Sequence, residues 1–162
     1  MTAKTLDLLC LGEPLMEFSQ VEGSNYLRGF GGDTSNCAIA AARHGAKSGY
    51  ISRVGADEFG ESFLELWRTE GVDTTAVKQT PTAHTGVYFV SHGPSGHQFS
   101  YLRSQSAAST LDIADVEAAG IEWSQWLHLS GISQAISDSA CDAGFRSIEI
   151  ARESGTRVAY DT

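Results

Sequence analysis

The run from Leu6 to Leu11, apolar except for Asp7 and closed by Gly12, constrains the fold more than any other stretch. A short, nearly continuous apolar strand is buried on both faces, and strands of that kind belong to parallel sheets covered by helices on either side. Later segments repeat the pattern. Tyr50 to Val54 and Trp126 to Leu129 read as further buried strands, and Thr156 to Tyr160 as a last one. Helices alternate with them. Ser35 or Thr34 is placed to cap a helix from Asn36 to about His44, stopped by Gly45. Asp57 caps a second from Glu58 to Glu70, whose Phe59, Phe63, Leu66 and Trp67 share one face before Gly71 ends it. Two more are expected, near Asp112 to Ala119 and from Asp138 to Ser154. This alternation is that of an α/β protein with a doubly wound parallel sheet.

Two segments break the pattern. Met16 to Gln20 and Tyr26 to Arg28 flank a turn-like Glu22-Gly23-Ser24-Asn25, and Gly86 to Ser91 and Gln98 to Leu102 flank His92-Gly93-Pro94-Ser95-Gly96-His97. Each predicts a hairpin. Together they predict a small antiparallel β-hairpin lid beside the sheet, at about residues 16–30 and 86–103. With 162 residues, 41% of them hydrophobic and 19% charged, the chain is long enough for one core and composed like a globular protein.

A formal net charge of -9 repels nucleic-acid backbones and anionic lipids, so neither is an expected partner. No stretch approaches the roughly 20 apolar residues of a membrane span. The widely spaced Cys10, Cys37 and Cys141 suit reduced thiols in a cytoplasm, and the histidines form no metal-binding spacing. No metal ligand is assigned.

Chemistry concentrates in Gly29-Phe30-Gly31-Gly32-Asp33-Thr34-Ser35-Asn36. Glycines just ahead of a helix let a ligand approach bare backbone amides. The third glycine of a dinucleotide fingerprint is missing, Thr34 standing in its place, and GxxxxGK[ST] occurs nowhere.

The stretch Gly31-Gly32-Asp33-Thr34-Ser35-Asn36-Cys37-Ala38 through Gly45 resembles the first signature of the ribokinase (PfkB) family of carbohydrate kinases. Other segments match in the same order: Leu11-Gly12-Glu13-Pro14-Leu15-Met16-Glu17, Val54-Gly55-Ala56-Asp57-Glu58-Phe59-Gly60, Thr85-Gly86-Val87-Tyr88, and Tyr101-Leu102-Arg103 through Ser109. The final Asp161-Thr162 resembles the start of the family's D-T-N-x-R stretch. The resemblance spans essentially the whole chain. It implies that residues 1–162 are the amino-terminal portion of one ribokinase-like domain, incomplete, in which Gly31, Gly32, Asn36 and Glu17 hold sugar hydroxyls.

Tyr88, Tyr101 and Arg103 complete the substrate set that the resemblance implies. Arg103 is similar to the carboxylate-binding arginine of 2-keto-3-deoxygluconate kinases, and a guanidinium fork suits a carboxylate. The implied reaction is transfer of the ATP gamma-phosphoryl group, with magnesium, to 2-keto-3-deoxygluconate. A fructokinase or another PfkB sugar kinase is the alternative within enzymes, and a non-catalytic sugar-binding or regulatory domain is the alternative outside them. The family's G-A-G-D segment, which cradles phosphates and supplies the base, does not occur here. The chain therefore reads as truncated, with no catalytic residue, no strong binding of ATP or magnesium, and no activity alone expected. Lid hairpins with exposed edges could pair between two copies.

Overall fold

A computed structural model describes residues 4–94 and 96–162; Met1 to Ala3 and Ser95, in the turn of the second hairpin, lie outside the described residues. The buried run forms β1 (Leu6–Leu11), as its apolar character demands. It sits at the centre of a five-stranded, wholly parallel sheet with β4 (Ser48–Gly55), β5 (Val77–Thr80), β8 (Ser124–Ser130) and β9 (Arg157–Asp161), in the order β5-β4-β1-β8-β9. Alternation along β1 divides the core in two. Leu9 and Leu11 pack with Ile51, Leu127 and Leu129 under α5 (Asp138–Ser154), whereas Cys10 packs with Tyr50, Phe63 and Trp67 under α1 (Asp33–Arg43) and α2 (Glu58–Glu70). Small residues Ala140, Ala143 and Ala151 let α5 lie close to the sheet. No helix among the described residues is long and apolar enough to cross a membrane.

Both hairpins are present, but they do not form a purely antiparallel appendage. β2 (Leu15–Glu22) pairs antiparallel with β3 (Asn25–Gly31), and β6 (Gly86–Gly93) with β7 (Gly96–Leu102), yet β2 and β6 join in parallel from Leu15 opposite Gly86 to Ser19 opposite Val90. The result is one mixed sheet in the order β3-β2-β6-β7. The reason is directional: β2 follows β1 and β6 follows β5, two parallel strands of the main sheet, so both leave it the same way.

Helix starts differ from expectation in one instructive place. α1 begins at Asp33 behind Gly32, which has φ 105°, and neither Thr34 nor Ser35 caps it. Their hydroxyls have core partners instead: Thr34 Oγ1 lies 2.9 Å from the Tyr50 hydroxyl, and Ser35 Oγ accepts from Trp67 Nε1 at 2.9 Å. The third helix is only Ile113–Glu117 (α3), because Gly120 in the left-handed region turns the chain so that Ile121 can be buried. The edge strand β5, containing Lys78 and Gln79, and the single turn Gly131–Gln134 (α4) have too little apolar pattern to announce themselves.

Asp57 ties α2 to the lid. Its carboxylate accepts from the Gly60 amide, and from both the amide and the hydroxyl of Thr85, each at 2.8 Å. Burial by itself would raise this carboxyl, but those donors outweigh it and hold it below the ordinary carboxylate range. Asp57→Ala is expected to cost about 1–2 kcal/mol at pH 7. A depressed carboxyl stabilises the fold above its unfolded-state value and ceases to as pH falls through the folded one. The gap between wild-type and variant urea midpoints should therefore be full at neutral pH and close in acid.

Candidate sugar-binding site

The strand order places a switch point beside β1, since the chain moves to one side of it for β4 and β5 and to the other for β8 and β9. Ligands of open α/β sheets bind at such points, outside the carboxyl ends of the strands. A crevice of about 190 Å³ lies there, lined by Glu13 after β1, Gly32 and Asp33 at the start of α1, Ile132 after β8, and Leu15, Tyr88, Phe99, Tyr101 and Arg103 from the lid side. A groove of about 460 Å³ between Arg28 and Glu65 is larger, but mostly exposed side chains of the lid and α2 line it, away from the ends of the main-sheet strands. Chemistry favours the smaller one.

Close backbone packing builds the floor. A side-chain carbon on Gly32 would lie 2.6 Å from the Glu13 carbonyl oxygen, and one on Gly31 would lie 2.6 Å from the Tyr88 hydroxyl. Only glycine fits at position 32, where the obstacle is backbone and φ is positive, whereas a side chain at position 31 would have to displace the Tyr88 ring. Asp33 accepts from the Thr34 amide at 2.7 Å and from the Ser130 hydroxyl, which joins the first turn of α1 to the end of β8.

The lid supplies the wall. Register alternation puts Tyr88 opposite both Glu17 and Tyr101, so three side chains share one face. The Tyr88 hydroxyl donates to the Glu17 carboxylate, and its ring stacks on Tyr101 with centroids 5.9 Å apart. Burial, reinforced by Glu17, pushes the Tyr88 phenol above its ordinary range, so it stays protonated and its oxygen remains free to accept from a ligand hydroxyl. Arg103 lies 5.8 Å from the Tyr101 ring and forms an ion pair with Glu13.

Of the seven residues expected to hold substrate, Gly32, Tyr88, Tyr101 and Arg103 line the crevice together. Glu17 and Gly31 stand one layer away, each against Tyr88. Asn36 does not join them: the residue is exposed on α1, and its backbone N–H donates to the Gly32 carbonyl at 2.9 Å. What remains is a set of carboxylates, backbone, phenol and guanidinium around a small cavity that Leu15, Phe99 and Ile132 also line, which can bind and orient a polyol.

The sequence pattern of pfkB family carbohydrate kinases matches residues 5–162. The chain belongs to that family. It is 38% identical over 144 residues to a 2-dehydro-3-deoxygluconokinase of Thermoproteus tenax, covering 83% of this chain and 44% of that protein. It is 29% identical over 162 residues to fructokinase-2 of Solanum lycopersicum, covering 95% and 49% respectively. A crystal structure of a PfkB protein from Polaromonas sp. JS666 superposes with a TM-score of 0.90 at 30% identity, over 96% of this chain and 55% of that one. The chain thus spans about half the length of the curated relatives it matches.

Sequence reasoning passed over Glu13 and Asp33 in this PfkB chain. Both stood inside quoted motifs, and a carboxylate directly after a buried strand was a usable signal for Glu13. Its partner, Arg103, is 90 positions away, and only folding shows the pairing.

Proposed function

We propose that the PfkB chain forms the sugar-binding part of an ATP-dependent kinase whose substrate is 2-keto-3-deoxygluconate. The observation that carries this reading is Arg103: its side chain is 27% exposed, so a guanidinium in the crevice wall has donors left for a substrate carboxylate while Gly32, Asp33 and Tyr88 meet the hydroxyls. The 38% identity to the Thermoproteus tenax 2-dehydro-3-deoxygluconokinase supports it. The crevice itself does not suit ATP, because at about 190 Å³ it is small for a nucleoside triphosphate and both Glu13 and Asp33 face it. The G-A-G-D stretch does not occur in these residues, so ATP and magnesium rest on the family relation alone.

Fructose is the second reading. Glu13 neutralises much of the Arg103 charge, and a neutral ketose needs no surplus cation. Calorimetric titration of the full chain with both sugars separates the two: the first reading expects the acid to bind about tenfold or more tightly than fructose. Equal affinities, or tighter fructose, would select the second. Tyr88→Phe, which leaves Glu17 without its donor, is expected to weaken the bound sugar by about three- to tenfold. Self-association through the lid belongs to the same proposal, supported by the exposed Leu27, Phe99 and Tyr101 on its crevice-side face. Sedimentation velocity would test it.

A further inference from the structure

Glu13 is 3% exposed, in the turn between β1 and β2, where a bare carboxylate would be expensive to bury. Two partners fix it. Ser106 donates its hydroxyl to Oε1 at 2.6 Å, and the Arg103 Nη2 sits against Oε2 as an ion pair rather than an aligned hydrogen bond. Because Ser106 anchors one oxygen, the carboxylate cannot swing away, and the other oxygen stays aimed at the guanidinium. The contact commits one of the guanidinium's nitrogens. Its remaining donors lie beside Tyr101 and the crevice. The nearby charged group from the opposite side is Asp33, also acidic.

We propose that Glu13 is a positioning and specificity-determining residue for this site: it aims Arg103 into the crevice and tempers its charge, so that neutral polyols are admitted beside acidic ones. The proposal rests on the sugar-site reading above. Arg103 alone would favour anions strongly, and Glu13 holds that preference down. A carboxylate a few ångströms from the ligand's own carboxylate opposes its binding but is indifferent to a neutral ketose.

Glu13→Gln tests this because the amide keeps the shape while removing the charge: the ion pair is lost, but its oxygen can still face Arg103 and its nitrogen can donate to the Ser106 oxygen. The measured quantity is the fructose dissociation constant divided by that for 2-keto-3-deoxygluconate, in the full chain. It should rise by about tenfold in Glu13→Gln. Glu13→Asp keeps the charge but withdraws it by one methylene, so it should weaken both sugars with the ratio held within about twofold. In the absence of sugar, phenylglyoxal labelling of Arg103, read by peptide mass spectrometry against the exposed Arg28, should be faster in both variants. A ratio unmoved or shifted toward fructose in Glu13→Gln overturns the proposal, as does an equal rise in Glu13→Asp or unchanged labelling. A wild-type chain that binds neither sugar overturns the sugar-site reading and the proposal with it; in the other cases the sugars still bind, which tells the failures apart.

Discussion

Trp67→Ala should cost about 3–5 kcal/mol of folding stability, among the largest losses any single core substitution can produce. The side chain is fully buried, with its ring centroid 5.2 Å from Phe63 and 4.8 Å from Tyr50. Removing it leaves a cavity between α2 and the sheet that surrounding side chains can only partly fill. A second loss follows from the indole N–H, which donates to Ser35 on the first turn of α1. Trp67→Phe isolates that term: it keeps most of the packing and leaves the Ser35 hydroxyl without its donor, for about 1–2 kcal/mol. Urea midpoints of the two variants measure both. Because Ser35 lies two residues from Asp33, Trp67→Ala should also loosen the crevice, and sugar affinity should fall in Trp67→Ala more than in Trp67→Phe. A Trp67→Ala midpoint within error of wild type would mean that the two helices are not held through this contact.

The same tryptophan shows how far local pattern carries a reading. Phe63 and Trp67 lie four apart, and helical spacing alone puts them on one buried face. Thr34 and Ser35 have the chemistry of helix caps, and reading them so follows from sequence-local reasoning. Their actual partners are Tyr50 and Trp67, 16 and 32 residues away, so the competition was settled by tertiary packing. Parallel pairing of β2 with β6 was hidden for a similar reason, since nothing within either hairpin encodes its neighbour. At the site, glycines and aromatics were legible because each has one dominant use: Gly32 turns the chain, and Tyr88 and Tyr101 alternate inward on paired strands. Asn36 has no such single use, because a side-chain amide one turn into a helix can point to ligand or to solvent, and here the residue is exposed.

Arg103→Leu is expected to disturb Glu13 as well as the sugar. Burial already raises the Glu13 carboxyl above its ordinary range, against the lowering pull of Ser106 and Arg103. Without the guanidinium the carboxylate is left buried and unpaired, which should destabilise the fold by about 3–5 kcal/mol at neutral pH. A carboxyl whose folded-state pKa exceeds its unfolded value stabilises the fold when protonated; that contribution is complete below the unfolded value and lost as pH rises through the folded one. The deficit of Arg103→Leu against wild type should therefore shrink as pH falls from neutral toward the ordinary carboxylate range, because acid relieves the stranded Glu13 charge, whereas at the depressed Asp57 acid removes a stabilising contribution. Urea midpoints across that interval test the direction. The double variant Glu13→Gln, Arg103→Leu removes the stranded charge and should recover most of the stability at neutral pH. It should not recover the acidic sugar, because losing a guanidinium paired with a carboxylate costs about 2–5 kcal/mol, or more than an order of magnitude in affinity at about 1.4 kcal/mol per tenfold. Fructose, which never used the charge, should bind the double variant far closer to its wild-type affinity. Recovery of acid binding along with stability would show that Arg103 serves the fold through Glu13 and that the substrate's carboxylate, if it has one, is met elsewhere.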